Sequence, residues 1–442
     1  MFAKHNYAMV LDFWNRSLEL AKIKSCLRKG GFGYVTGRRR VGKTALLRKA
    51  NETLGGIYHQ AVEGTSQQQL LHLTEEIREQ LPIFRDITPR TWPEFFHLLS
   101  KEKLPGLIIF DEFSYWIDGD PHLPSILQKW IDHELPKLKT FVLVSGSSQS
   151  MLYSHLLSHS SPLYGRASFH LHLEPMSYYW FCRALNYHAD NPTSFARFAL
   201  VGGVPHYWKL MPKESLIKQV DFLYFEPSAI LSEEPIRLVR DEGITGALPK
   251  AILDLVGRGI SKPSELAARL GTAHGNLSRP LALLLDLDLI HRELPFGESP
   301  RTTKKVLYSI QDPALSFYYS SFLVFRERWR HFGLKEKEAI LNQHVSRQWE
   351  NFCRQACPGS KRYWEGGIEI DVVYNPKRRK HPLIAECKWA QLSSNQEKAL
   401  LKDLQERFHK TQLSRKLGRV DFRIFSKKDL PLLKKMMRQT LT

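Results

Sequence analysis

The sequence is poor in cysteine and has no long apolar run. Its five cysteines form no CxxC pair, which argues against a disulfide framework or a structural zinc site and favours reduced thiols. The opening segment MFAKHNYAMVLDFW lacks the charged and apolar regions of an export signal. The run LALLLDLDLI is interrupted by Asp286 and Asp288 and is too short to cross a bilayer. We therefore expect a soluble, cytoplasmic protein with no membrane partner.

Acidic residues are also scarce relative to basic ones. Lys and Arg number 64 against 45 Asp and Glu, which gives a formal net charge of +19 and a surface that attracts polyanions. Nucleic acid is the expected partner, with DNA favoured over RNA. A solvated basic face or an anionic membrane surface would give the same count. Hydrophobic residues make up 43% of the 442 positions, enough for about two to four packed domains.

The order of apolar and helical patterns suggests four segments. Strand-like runs (GYVTG, GLIIFDE, TFVLVSGS) alternate with stretches of helical period, which predicts an α/β domain with a parallel sheet over residues 1–174. A mostly helical segment follows at 175–244, then short helices with a basic strand pair at 245–311. A helical connector and a second α/β pattern occupy 312–442. No internal repeat or low-complexity tract is visible.

The strongest motif is a phosphate-binding loop. In GYVTGRRRVGKTALLRKA, a strand, a loop and a helix carry Gly37, Gly42, Lys43 and Thr44 in the GxxxxGK[ST] pattern. Backbone amides at the helix start would face phosphate oxygens, Lys43 would bind the β and γ phosphates, and Thr44 would bind Mg²⁺. We assign Arg38, Val41 and Ala45 to the same nucleotide site. The run Arg38–Arg40 could instead contact a neighbouring subunit or only solvent.

Magnesium also needs a carboxylate at the end of an apolar strand, and LIIFDEF supplies one. Asp111 would hold the ion, and Glu112 would act as the general base that polarises the attacking water. By itself the segment could be an ordinary strand end with two solvated acids. Its position after the phosphate loop favours the catalytic interpretation.

These motifs together resemble the archaeal-type ATPase family of the AAA+ superfamily, over nearly the whole chain. The resemblance implies a P-loop ATPase that uses ATP and Mg²⁺, with a helical lid at 175–244. The opening segment DFWNRSLELAKIKSCL would place Arg16 and Glu19 near the base of the nucleotide. FVLVSGSS resembles the sensor strand, where Ser145 or Ser147 would contact the water or the γ phosphate. Either serine could equally cap the next helix.

Two further elements of the resemblance lie beyond that strand. SPLYGR places Arg166 where an arginine stabilises transition-state charge, with a surface salt bridge as the competing explanation. LVGGVPHYW resembles the GGxP element, in which Pro205 would pack near the adenine. His206 and Tyr207 follow where some relatives carry a sensor arginine, so control of hydrolysis by the lid stays open.

Residues 245–311 fit a winged helix-turn-helix. The second helix would present Asn276, Ser278 and Arg279 to a DNA groove, and a wing carrying Arg301, Lys304 and Lys305 would contact phosphates. Pro280 would interrupt that helix unless the helix begins only at Ser278. The alternative is a packing module between domains.

The C-terminal segment resembles the PD-(D/E)xK, restriction-endonuclease-like group. GGIEIDVVY places Asp371 near the middle of a strand, and PLIAECKWA places Glu386 and Lys388 on one face of the next. The two carboxylates would ligate metal and the ammonium would stabilise the charge of a phosphodiester under attack. The resemblance adds Glu350, which would orient a metal-bound water. Each motif alone could be a solvated acid or a common ExK.

Three functional hypotheses remain. In the first, ATP hydrolysis gates metal-dependent cleavage of DNA by the C-terminal domain. In the second, the protein is an ATP-switched DNA-binding or signalling regulator whose nuclease-like domain no longer cuts. In the third, the ATPase drives assembly of a homo-oligomeric ring or a partner complex.

Overall fold

The computed structural model describes residues 13–146, 158, 161–299, 301, 303–377 and 379–441. The chain forms two compact units, Met1–Pro175 and Met176–Thr442. No helix within the described ranges is long and apolar enough to cross a membrane.

The first unit is built on a five-stranded sheet. In chain order its strands are β1 (Gly31–Thr36), β2 (Ile57–Gln60), β3 (Leu107–Asp111), β4 (Phe141–Ser145) and β5 (Phe169–His172). They lie in the order β2-β3-β4-β1-β5, and all four pairings are parallel. The predicted parallel α/β core is therefore confirmed. The expectation named only β1, β3 and β4, because the short edge strands β2 and β5 have no long apolar run.

Helices cover both faces of this sheet. Alternate residues of one strand point to opposite faces, so Ile108 and Phe110 of β3 join one buried cluster while Leu107 and Ile109 join the other. Burial on both faces explains the nearly continuous apolar strands. The helices are Ser17–Cys26, Lys43–Leu54, Ser66–Ile77, Ile83–Asp86, Trp92–Leu99, Ser114–Gly119 and Leu123–His133, with a 3₁₀ turn at Leu135–Lys137.

The second unit begins with helices and a small hairpin. Its hairpin pairs β6 (His291–Glu293) with β7 (Leu307–Ser309) in antiparallel fashion. The one helix containing Pro280 begins at Ser278, so the proline lies in its first turn, where no intrahelical hydrogen bond is lost. The helices before the connector are Tyr178–Ala184, Pro192–Val201, Pro205–Trp208, Leu216–Val220, Ile230–Asp241, Ala247–Gly257, Pro263–Arg269 and Ser278–Asp286, with a π turn at Asp221–Phe225 and a 3₁₀ turn at His274–Leu277.

The C-terminal part of this unit is a mixed four-stranded sheet. Its strands are β8 (Lys361–Glu365), β9 (Ile368–Tyr374), β10 (Leu383–Cys387) and β11 (Asp421–Phe425), in the order β11-β10-β9-β8. The β10–β11 pair is parallel and the other two are antiparallel. The remaining helices are Pro313–Phe317, Leu323–Phe325, Leu334–Ala356, Ser394–His409, Gln412–Leu417 and Leu430–Leu441, with a π turn at Tyr318–Phe322 and 3₁₀ turns at Trp329–His331 and Lys427–Asp429.

Candidate functional sites

The phosphate loop joins the end of β1 to the helix Lys43–Leu54. Gly37 and Gly42 adopt left-handed φ values of 137° and 103°, which an L side chain rarely tolerates. A Cβ at Gly37 would also lie 2.6 Å from the carbonyl oxygen of Leu173. The loop therefore requires glycine at Gly37 for two independent reasons, and the helix that follows it begins with amides that have no acceptor within the helix and are suited to an anion.

Lys43 folds back over this loop. Its Nζ donates to the carbonyl oxygens of Gly37 at 2.6 Å and Arg38 at 3.2 Å, and the residue is only 6% exposed. The ammonium is thus held at the centre of the loop. Val41 is fully buried, whereas Thr44 and Ala45 are half-buried at the start of the helix.

Arg16 ties the chain before β1 to the same loop. Its guanidinium donates to the carbonyl oxygens of Val41 at 3.2 Å and Glu174 at 2.8 Å, and to Oε1 of Glu19 at 2.9 Å. The expectation placed Arg16 and Glu19 near the nucleotide. The structure shows Arg16 bound to the loop backbone and Glu19 bound to Arg16; their nearness to a nucleotide stays a prediction.

Asp111 ends β3 at the carboxyl edge of the sheet, the edge where β1 enters the phosphate loop. Only β4 separates these strands, so their ends are about 10 Å apart at the usual strand spacing. Asp111 is 1% exposed, and the amide of Glu112 donates to its Oδ1 at 3.0 Å. Glu112, the assigned general base, has a left-handed φ of 55°, a conformation that concentrates at functional sites.

Ser145 ends β4, between these two strands. Ser145 is fully buried, and its hydroxyl makes no hydrogen bond within the described part of the chain. Its carbonyl accepts from the amide of Phe113 at 2.7 Å, which ties the ends of β3 and β4 together. A buried hydroxyl without a partner fits a group that completes its bonding with a ligand. Ser147, the other sensor candidate, lies outside the described residues.

For Arg166 and Pro205, two of the residues expected to contact the nucleotide, the structure shows other surroundings. Arg166 makes a bidentate pair with Asp132, with nitrogen–oxygen distances of 2.9 Å, and donates to the carbonyl of Pro162. This is the competing salt bridge; a role in hydrolysis stays a prediction. Pro205 is the first residue of the short helix Pro205–Trp208 in the second unit, and its contact with adenine also stays a prediction.

In the second unit, Asp371 and Glu386 lie on neighbouring strands. Ala385 pairs with Val372, so the next position along each strand places Glu386 beside Asp371. The amide of Cys387 donates to Oδ2 of Asp371 at 2.8 Å. Lys388 follows β10 rather than lying within it, yet its Nζ reaches Oε1 of Glu386 at 2.8 Å. The acid-acid-lysine set predicted from the sequence is therefore brought together.

Glu350 joins this cluster from the helix Leu334–Ala356. Burial, and then repulsion from Asp371, raises the pKa of Glu350 to about 7. Burial and the charge of Glu386 also raise the pKa of Asp371. Burial disfavours the charged form of Lys388, but its pairing with Glu386 and the charges of Asp371 and Glu350 raise the pKa of that ammonium overall. Burial and neighbouring negative charge thus favour the protonated forms of Glu350 and Asp371, and a bound cation would favour their ionised forms.

One member of the cluster had no sequence signal. Arg407, on the helix Ser394–His409, donates through Nη2 to Oε2 of Glu386 at 2.9 Å and through Nε to Asp403 at 2.8 Å. Both oxygens of Glu386 are therefore bound by cations. Across the ranges that the structure covers, no three His, Cys, Asp or Glu side chains are arranged to hold a metal. The oxygen donors suit a hard divalent cation, which would have to share Glu386 with Lys388 and Arg407.

The hairpin region carries the basic residues expected of a wing. Lys304 and Lys305 are exposed, and Nζ of Lys305 lies 3.5 Å from Oε1 of Glu298. Asn276, Ser278 and Arg279 are exposed at the start of the helix Ser278–Asp286. Winged-helix function and DNA contact stay predictions.

Comparison with known proteins supports the ATPase assignment. Residues 13–207 match a family described as an ATPase domain predominantly from Archaea, and residues 322–400 match one described as Archaea bacterial proteins of unknown function. An uncharacterized protein of Methanocaldococcus jannaschii is 28% identical over 425 residues, which are 89% of this chain and 91% of that protein. A Walker-type ATPase of Pyrococcus abyssi shares the fold, with a TM-score of 0.52 and 19% identity, over 70% of this chain and 96% of that one. Residues 13–207 thus match an archaeal-type ATPase domain, and the parallel-sheet fold agrees with that of a Walker-type ATPase.

Proposed function

We propose that this protein is a Mg²⁺-dependent ATPase. The observation that carries the proposal is the loop Gly37–Thr44, whose two left-handed glycines and inward-facing Lys43 form a phosphate cradle at a helix N-terminus. Thr44 and Asp111 would hold magnesium, which neutralises charge on the β and γ phosphates. Glu112 takes the proton of the attacking water. The hydroxyl of Ser145 donates a hydrogen bond to that water or to the γ phosphate.

Phosphate release by the purified chain tests this proposal. We expect Mg²⁺-dependent release in the wild type, none in Lys43→Ala because the phosphates lose their cation, and ATP binding without turnover in Glu112→Gln. Lys49→Ala is the matched control, since Lys49 lies on the same helix and pairs with Glu52 on the surface. Equal turnover in all four proteins would contradict the proposal.

A second function, binding and cleavage of nucleic acid, is supported by the cluster of Glu350, Asp371, Glu386 and Lys388. Asp371 and Glu386 would hold the divalent cation, which polarises a phosphodiester, and Lys388 stabilises the negative charge that develops on it. The net charge of +19 favours a polyanionic substrate, DNA before RNA. A regulator that binds DNA but no longer cuts it is the alternative, in which the ion pairs of Glu386 with Lys388 and Arg407 would stay intact.

Plasmid cleavage separates these two possibilities. Supercoiled and linear DNA are incubated with Mg²⁺ or Mn²⁺, with and without ATP, using wild type, Lys388→Ala and Lys43→Ala. Cutting that is lost in Lys388→Ala and altered in Lys43→Ala supports cleavage gated by nucleotide. DNA that is bound in a salt-dependent manner but never cut supports the regulator.

A further inference from the structure

The carboxylate of Asp111 is held by a side chain that no motif identifies. Tyr58 lies on β2, the strand next to β3, and its hydroxyl donates to Oδ2 of Asp111 at 3.0 Å. The other carboxylate oxygen accepts from the amide of Glu112 at 3.0 Å. Because Asp111 is 1% exposed, water contributes little to its hydrogen bonding. The Tyr58 hydroxyl therefore fixes the plane of this buried carboxylate.

Tyr58 is itself held from the helix that follows the phosphate loop. Nε of Arg48 donates to the Tyr58 hydroxyl at 3.4 Å, and Nη2 donates to Oε1 of Gln60 at 3.0 Å. The guanidinium carbon lies 5.5 Å from the centre of the tyrosine ring, within cation–π range. Arg48 lies on Lys43–Leu54, the helix that starts at Lys43. A continuous set of contacts thus links this helix to Asp111.

The direction of the hydrogen bond is set by chemistry. An ionised carboxylate can only accept, so the hydroxyl must donate. A phenol carries its proton throughout the neutral range, so the Tyr58 hydroxyl has a hydrogen to give. Arg48 and Tyr58 also line an open cavity of about 690 Å³ beside β2, so the network is reachable from the sheet edge.

We propose that Tyr58 is a positioning residue for the magnesium site, holding Asp111 in the orientation that receives the hydrated ion, with Arg48 supporting Tyr58. This inference rests on the proposed ATPase function. It assigns no bond between Tyr58 and nucleotide. A purely structural tyrosine would change stability without changing the magnesium requirement, and this difference makes the proposal testable.

The test compares ATP affinity in excess Mg²⁺ with ATP affinity in EDTA, followed by phosphate release as a function of Mg²⁺ concentration. For Tyr58→Phe we expect unchanged affinity in EDTA and a rise on the order of 10-fold in the Mg²⁺ concentration for half-maximal activity, the usual cost of removing a residue that orients a metal ligand. At saturating Mg²⁺, we expect the turnover of Tyr58→Phe to stay within about twofold of the wild-type value. Arg48→Gln shifts the same midpoint in the same direction by less.

Tyr34→Phe is the matched control. Tyr34 is a buried tyrosine of β1 in the same unit, and the hydrogen bonds to the Asp111 carboxylate come from Tyr58 and Glu112 instead, so removal of the Tyr34 hydroxyl should leave the Mg²⁺ midpoint unchanged. If Tyr58→Phe reaches half-maximal activity at the same Mg²⁺ concentration as the wild type, or at a lower one, the inference is overturned. The proposed ATPase function would not be affected by that result. A wild-type protein that binds no ATP in either condition overturns the proposed function itself. The urea midpoints of both variants report whether the fold is retained.

Discussion

Glu386 lies between two cations, with its Oε1 2.8 Å from Nζ of Lys388 and its Oε2 2.9 Å from Nη2 of Arg407. A metal ion at Asp371 and Glu386 must compete with these pairs. Any cleavage should therefore require a higher concentration of divalent ion than a site with free carboxylates, and the negative charge of Glu386 should be essential.

Glu386→Gln is expected to lower Mn²⁺-dependent plasmid cutting by at least about 100-fold, because the amide keeps the shape of the side chain but not its charge. Gel assays of nicked and linear product measure it. Glu406→Gln, which removes an exposed helix-surface carboxylate, serves as the control and should cut normally. Retained cutting by Glu386→Gln would remove this residue from the metal site.

Gly37→Ala should destabilise the first unit. The added Cβ would meet the Leu173 carbonyl oxygen at 2.6 Å, and the backbone φ of 137° is strained for alanine. We expect a loss of about 3 kcal/mol in the free energy of unfolding, measured by urea denaturation. Gly106→Ala should change it by less than about 0.5 kcal/mol, since nothing lies within 4 Å of a Cβ there. Similar losses in both variants would contradict the steric account.

His344 should make the second unit sensitive to acid. Burial lowers the pKa of His344 to about 4, and its Nε2 donates to the Ala199 carbonyl at 2.6 Å. The unfolded chain, in which the histidine has its ordinary pKa, binds the proton more readily. The contribution of His344 to the free energy of unfolding is therefore fully present above pH 6.5 and is lost as the pH falls toward 4. The loss attributable to this group is on the order of 3 kcal/mol.

Urea midpoints of the wild type and His344→Gln between pH 4 and 7.5 isolate this contribution. The wild type should lose more stability on acidification than the variant, which cannot accept the proton. Parallel curves for the two proteins would show that His344 is not the responsible group.

A catalytic role of Arg166 can be separated from a structural one by comparing Arg166→Ala with a variant of its ion-pair partner, Asp132→Ala. If Arg166 stabilises transition-state charge, Arg166→Ala lowers turnover by about 100-fold or more, whereas Asp132→Ala leaves it within about twofold. Their ion pair lies at the protein surface, where solvent screens it and it contributes little to stability. Phosphate release by the two variants is the measurement, and unchanged turnover in both would leave Arg166 only the salt bridge.

The parts of the site that the sequence predicts are those with short-range patterns. Gly37, Lys43 and Asp111 sit in strand-loop-helix or strand-end contexts that fix their backbone, and the parallel sheet follows from the apolar strands around them. The pairing of Asp371 with Glu386 also follows, because both lie on recognisable strands.

The parts it does not predict depend on contacts between distant segments. Tyr58 is 53 residues from Asp111, and Arg407 is 21 residues from Glu386. Neither lies in a motif, and no short-range pattern in the sequence pairs either residue with its partner. The same limit applies to Arg166, whose partner Asp132 is set by tertiary packing.

The central claim is that Gly37–Thr44 binds ATP whose magnesium is held by Asp111. Calorimetric titration of ATP, with Mg²⁺ and with EDTA, into wild type, Lys43→Ala and Asp111→Asn tests it most directly. We predict binding by the wild type that Mg²⁺ strengthens, no binding by Lys43→Ala, and binding by Asp111→Asn that no longer responds to Mg²⁺. A folded wild-type protein with no measurable affinity for ATP in the presence of Mg²⁺ would contradict the account.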